Sequence, residues 1–114
     1  MAKYENIRAL AKKQLQAVTE SSDRWKAFLQ TAAIAYNYSF PNQLLIHGQS
    51  PTATAVADIA YWNNNAGRWV KRGAHGIAVF DTRANSSRLR YLFDISDTIP
   101  RAEIPEALPW VITD

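Results

Sequence analysis

Gly67-Arg68-Trp69-Val70-Lys71-Arg72-Gly73-Ala74-His75-Gly76-Ile77-Ala78-Val79-Phe80 is where this chain changes its periodicity. Before it, apolar residues recur every three or four positions, the spacing of an amphipathic helix. After it, they come in short runs or alternate, the spacing of strands. Arg68-Trp69-Val70 predicts a short strand and Lys71-Arg72-Gly73 a turn. Ile77-Ala78-Val79-Phe80 predicts a compact strand covered on both faces. Leu89, Tyr91, Phe93 and Ile95 alternate with Arg88, Arg90, Leu92 and Asp94, which predicts a strand with one wetter face. Residues 76–95 therefore read as an antiparallel hairpin. Helices first and strands after predict an α+β domain with about four N-terminal helices and a small antiparallel sheet.

The helices follow from the upstream pattern. Ile7, Leu10, Ala11, Leu15 and Val18 form one stripe, predicting a helix over about residues 3–18. Ser21 or Ser22 can cap a second helix over about 23–38, whose buried face would be Trp25, Phe28, Leu29, Ala32, Ala33 and Tyr36. Pro41 disfavours helical geometry at Phe40 and leaves Asn42 to cap a short third helix ending at Gly48. A fourth helix is expected over about 53–64, with Val56, Ile59 and Ala60 inward, ended by the Asn-rich run before Gly67. Pro100, Pro105 and Pro109 rule out a long regular element at the end. The expected organisation is one domain over 1–98 and a proline-containing acidic tail over 99–114, either a linker or an extended segment lying on the domain.

Bulk properties narrow the function classes. The chain has 114 residues, no cysteine and a formal charge of +3. Disulfides and thiolate zinc sites are excluded. No apolar run approaches a membrane span, and Met1-Ala2-Lys3-Tyr4-Glu5 lacks the apolar core of a signal peptide, so a cytoplasmic protein is expected. The charge is unevenly spread: residues 61–93 sum to +5 and residues 94–114 to −4. Such an imbalance points to a polyanionic partner for the middle and a different neighbour for the tail.

No catalytic pattern competes with binding. His47 and His75 are far apart and in no metal-ligand spacing, no His-Glu-x-x-His helix or Walker-type loop occurs, and Asp94 and Asp97 read as turn or cap residues. A non-enzymatic protein without metal or cofactor is expected. The basic middle instead interleaves Arg68, Lys71, Arg72, Arg88 and Arg90 with aromatic residues and glycines. Cations track phosphates and flat rings stack on unpaired bases. Tyr38, Trp62 and Trp69 flank breaks in pattern and are candidate stacking rings, or rim-of-core aromatics. Asn42 and Gln49 could read base edges or hold a loop by hydrogen bonds. Lys71-Arg72-Gly73-Ala74-His75-Gly76 matches the glycine-x-x-glycine loop of the KH fold, but precedes a strand instead of joining two helices.

Larger blocks carry a resemblance. Trp25-Lys26-Ala27-Phe28-Leu29, Tyr38-Ser39-Phe40-Pro41-Asn42-Gln43-Leu44-Leu45-Ile46 and Gln49-Ser50-Pro51-Thr52-Ala53-Thr54 come first. Trp62, Gly67-Arg68-Trp69-Val70-Lys71-Arg72-Gly73, Gly76-Ile77 and Tyr91-Leu92-Phe93-Asp94-Ile95-Ser96-Asp97-Thr98 follow. Over roughly residues 22–98 this resembles the N-terminal domain of ArdC-type antirestriction proteins of plasmids and other mobile elements. The resemblance implies a single-stranded-DNA-binding module, often followed by a metallopeptidase domain or carried on larger conjugation and phage proteins. Asn42, Gln49, Pro51, Trp62, Arg68, Lys71, Gly73 and Gly76 match its motif, whereas Ala74-His75 stands where members often carry a charged pair.

The resulting expectation is a single-stranded-DNA-binding module, with Arg68, Lys71, Arg72, Arg88 and Arg90 on phosphates and Trp62, Trp69 or Tyr38 as stacking faces. The expected partners are single-stranded DNA and a downstream metallopeptidase or helicase domain. The rival from another class is a protein-interaction module docking a restriction or conjugation enzyme, or its own downstream catalytic domain. A DNA mimic would need a strongly acidic surface, which this chain lacks.

Overall fold

The computed structural model describes residues 2–83, 87–101 and 111–112. Its element order is α1 (Ala2–Val18), α2 (Ser22–Ile34), α3 (Phe40–Gln49), β1 (Val56–Ala57), α4 (Ile59–Asn64), β2 (Arg68–Lys71), β3 (Ile77–Phe80), β4 (Leu89–Asp94), a 3-10 turn (Ile95–Asp97), β5 (Thr98–Pro100) and β6 (Val111–Ile112). The fold is α+β, with helices preceding strands. No helix among the described residues is long and apolar enough to cross a membrane.

Short side chains fix the helix starts. Ser21 Oγ accepts from the Arg24 amide, and Asp58 Oδ1 accepts from the Tyr61 amide at 2.9 Å. Ser39 Oγ accepts from the Asn42 amide, so α3 begins at Phe40 and Pro41 lies in its first turn. This corrects the expectation that Asn42 caps the helix. A proline near a helix start gives up only an N–H that has no intrahelical partner anyway.

The strands form two antiparallel three-stranded sheets, with orders β1-β4-β3 and β5-β2-β6. In the first, Ile77 faces Leu92 and Phe80 faces Leu89, the expected hairpin, while Val56 faces Asp94. In the second, Trp69 faces Ile99 and Val70 faces Ile112. One expectation changes here: the anticipated fourth helix is interrupted by β1, and α4 is confined to Ile59–Asn64. Of the tail over 99–114, Ile99, Pro100, Val111 and Ile112 pair with β2, as an extended segment lying on the domain would; residues 102–110 and 113–114 lie outside the described residues.

Among the described residues three apolar clusters hold the domain. Ala35, Leu45, Ile46, Ile77, Val79 and Leu92 fill the space between helices and first sheet. Val18, Phe28 and Leu44 join α1, α2 and α3. Ala57, Trp62 and Val70 join β1, α4 and the second sheet. The buried side of α2 is Phe28 and Thr31, with Ala35 at its cap. Trp25, Leu29 and Tyr36, expected inside, are 38%, 46% and 81% exposed.

Candidate nucleic-acid interface

The cations of the basic middle are divided between the two sheets. Arg68 and Lys71 sit on β2 of the second sheet, while Arg90 sits on β4 of the first and Arg88 just precedes it. Most are already engaged. Arg68 Nε donates to Thr98 Oγ1 at 2.6 Å and its Nη2 to the Thr98 carbonyl at 3.2 Å. Lys71 Nζ donates to the Ser96 carbonyl at 3.2 Å but remains exposed. Arg72 is exposed in the turn after β2, which Gly73 makes possible with φ +87°. Arg90 pairs with Asp58 at 3.1 Å, lies over the Tyr38 ring at 5.9 Å, and leaves Nε buried without an acceptor. These contacts tie Arg68 and Arg90 to neighbouring elements.

The proposed rings and amides divide similarly. Trp62 is 5% exposed, and its Nε1–H donates to the Phe93 carbonyl at 2.9 Å. It is a core residue joining α4 to β4, with no face for a base. Trp69 is half-buried, with the Arg101 guanidinium 4.4 Å from its ring centroid. Tyr38 is half-buried beside a 390 Å³ cavity lined also by Asn37, Val56, Asp58 and Tyr61. Burial pushes its hydroxyl pKa up, opposed by Arg90 and reinforced by Asp58.

Asn42 and Gln49 are structural. Asn42 Nδ2 donates to the Phe80 carbonyl at 3.0 Å and Oδ1 accepts from the Phe80 amide at 2.9 Å. Gln49 does the same with Ala78, at 2.8 and 3.0 Å. Of the two readings left open for these amides, these bonds fit the one in which they hold backbone by hydrogen bonds. Asp94 takes the capping role expected of it: Oδ1 accepts from the Thr54 and Ala55 amides and Oδ2 from Ser96.

One cleft does combine cations with available rings. Lys3 and Tyr4 in the first turn of α1 meet Ser87, Arg88, Leu89 and Tyr91 of the hairpin around a cavity of about 250 Å³. Lys3 Nζ lies 5.2 Å from the Tyr91 ring centroid, and Tyr91 is 39% exposed. Tyr4 packs against Phe80 at 5.6 Å between ring centroids. Among the described residues no acid lines the cleft. Neither Lys3 nor Arg88 makes an ion pair among the described residues. The fold thus brings together one expected residue, Arg88, and three that sequence reasoning missed: Lys3, Tyr4 and Tyr91. Lys3 and Tyr4 stand at the far end of the chain from the basic stretch, and Tyr91 read as an apolar strand position. Only the Lys-Tyr pair in an otherwise amphipathic first turn gave a signal.

Gly76 shapes this cleft. A Cβ built there would lie 3.0 Å from Tyr91 Cβ and 3.1 Å from its Cδ1. The missing side chain lets the ring lie against the start of β3. Among the described residues no group of three or more His, Cys, Asp or Glu could hold a metal ion. No family model matches the chain, and no curated protein or solved structure matches it.

Proposed function

We propose that the chain is a non-enzymatic, single-stranded-DNA-binding module of the kind the ArdC resemblance implies, with its primary contact at the Lys3–Arg88 cleft. The observation carrying this reading is the pairing of two cations, which have no carboxylate partner among the described residues, with the Tyr4 and Tyr91 rings around one cavity. A short unpaired strand presents the complements: flat bases for the rings and successive phosphates for the cations. Binding would exchange the Lys3–Tyr91 contact for a Lys3–phosphate contact and bare the ring for stacking. Lys71 at the end of β2 and Arg72 in the turn after it are also exposed and offer a second pair of cations. Duplex DNA buries its base faces and gains nothing from the rings.

The test is fluorescence anisotropy with labelled oligothymidine and a matched duplex across a salt series. Preference for the single strand, with log affinity falling by about 0.7 per engaged phosphate against log salt, is expected. Equal affinity for duplex, or affinity indifferent to salt, would refute the proposal.

A further inference from the structure

Strand β1 lies at the edge of the first sheet, with β4 on one side only. Val56 stands opposite Asp94 and Ala57 opposite Phe93, and the Ile95 amide bonds the Ala55 carbonyl at 2.9 Å. Antiparallel backbone alternates, so Ala55 and Ala57 turn their N–H and C=O toward β4 and Val56 turns both of its groups away. On β3 the outward groups of Phe80 and Ala78 are each met by a planar carboxamide, from Asn42 and Gln49. Among the described residues the outward pair of Val56 has no such cap. Beyond it lies the 390 Å³ cavity beside Tyr38. Residues Ala55 to Asp58 line that cavity and no residue of β4 does, which puts it on the open edge. Tyr61, 45% exposed, brings a ring to the same space.

We propose that this cavity is a base-reading subsite. It takes one unpaired nucleobase, whose pairing edge bonds the N–H and C=O of Val56 while its face lies on Tyr61. Each of the four bases carries an acceptor beside a donor on that edge, the same planar couple that Asn42 and Gln49 present to β3. The shortness of the free edge selects the occupant. The Thr54 amide is already spent on Asp94, and the Asp58 carbonyl on the Trp62 amide, so only Val56 offers both groups. A pairing peptide strand needs several such residues in succession, whereas a base needs one. The Tyr61 ring separates a base from an aliphatic carboxamide, which has no flat face to stack. The inference rests on the single-stranded-DNA reading and adds a base contact to the phosphate contacts at Lys3 and Arg88. A base held in a duplex has this edge occupied and is excluded.

Amide NMR of the nitrogen-15-labelled whole chain tests this, with oligothymidine and, at millimolar concentration, thymidine as ligands. Each is compared with its N3-methylated counterpart. Methylation at N3 removes the donor of the pairing edge and leaves the ring face and the phosphates. The expected result is a shift of the Val56 amide with oligothymidine and, more weakly, with thymidine, but with neither methylated ligand. Tyr61→Ala, at an exposed position, is expected to weaken oligothymidine binding by about tenfold. Its salt slope and far-UV circular dichroism should stay unchanged. A Val56 amide that neither ligand moves, or that the methylated ligands move equally, overturns the inference. If oligothymidine binds while Val56 stays still, this subsite falls and the single-stranded-DNA reading stands. If thymidine moves Val56 and oligothymidine fails to bind, the strand-binding reading falls and a nucleoside site remains.

Discussion

Asn42 and Gln49 stand two helical turns apart on α3 and grip alternate residues of one strand, Phe80 and Ala78. The geometry follows from the antiparallel ladder. The Asp81 amide bonds the Arg88 carbonyl, so odd-numbered residues of this strand turn toward β4 and even-numbered ones turn away. The amide side chains offer those outward groups one donor and one acceptor each, as a neighbouring strand would.

Replacing either amide by Ala strands a backbone N–H and C=O at the helix–sheet boundary. Asn42→Ala or Gln49→Ala is expected to cost about 2–3 kcal/mol in urea unfolding. Hydrogen exchange at Phe80 or Ala78 should accelerate accordingly. DNA affinity of the folded fraction should stay constant; weaker binding at full stability would return the amide to the ligand surface.

Lys3→Ala and Arg88→Ala are each expected to weaken single-stranded DNA binding and to flatten the salt slope by about 0.7. Arg90→Ala is the contrasting case. It removes a partner from half-buried Asp58 and should lower stability by about 1–2 kcal/mol while leaving the slope alone. Anisotropy across salt and urea melts of the three variants separate these effects. Loss of slope in Arg90→Ala alone would move the footprint to the Tyr38 side.

Gly73 and Gly76 make different demands on the chain. Gly73→Ala meets open space but carries φ +87°, so it should cost about 1 kcal/mol of stability without touching affinity. Gly76→Ala drives a methyl into Tyr91 and should lower DNA affinity through the displaced ring. Equal DNA titrations for the two variants would show that Tyr91 takes no part in binding.

Trp62→Phe removes the bond to the Phe93 carbonyl and part of a core ring. A loss of about 1–3 kcal/mol is expected, together with disappearance of an emission component shielded from acrylamide. If DNA quenches the Trp62 emission directly, the ring is reachable and its placement in the core is wrong.

Acid should destabilise the domain in two steps. Burial lowers the His47 pKa beneath the usual value of about 6.5, with Thr31 Oγ1 2.8 Å from its Nδ1. The unfolded chain therefore takes up this proton first, and stability declines as pH falls below 6.5 until the folded imidazole also titrates. Asp94 is lowered too: burial alone would raise it, but Ser96 and the Ala55 and Thr54 amides outweigh that. Its contribution is complete above about 3.9 and is lost as pH falls through the lower folded value. Urea melts against pH should show both declines, with His47→Gln removing the upper and Asp94→Asn the lower. An unchanged profile in either variant would remove that residue from the acid response.

Local chemistry made much of the fold legible. The helix spacing in α1, the Ser21 cap, the Ile77–Phe80 run and the alternation from Leu89 each depend on neighbours in sequence. What escaped depended on distant partners. The two residues of β1 carry no strand pattern of their own and exist because Asp94 ties down Thr54 and Ala55. The outer face of α2 reads as core because Trp25 and Leu29 have core chemistry; nothing local says that Phe28 and Thr31 face inward instead. Cation counting found Arg88, yet could not tell an arginine spent on Thr98 or Asp58 from one left to solvent. That distinction rests on side chains some thirty residues away.

The grip of α3 on β3 has a consequence for how the sheet can fail. Ile77-Ala78-Val79-Phe80 is an uncharged, β-prone run of the sort that templates growth of cross-β fibrils. In the folded chain its outward hydrogen-bonding groups are occupied by side chains, which cannot propagate a ladder as a strand would. Asn42 and Gln49 therefore act as gatekeepers: release of α3 would uncap the strand, and conditions that free this helix should set the onset of aggregation.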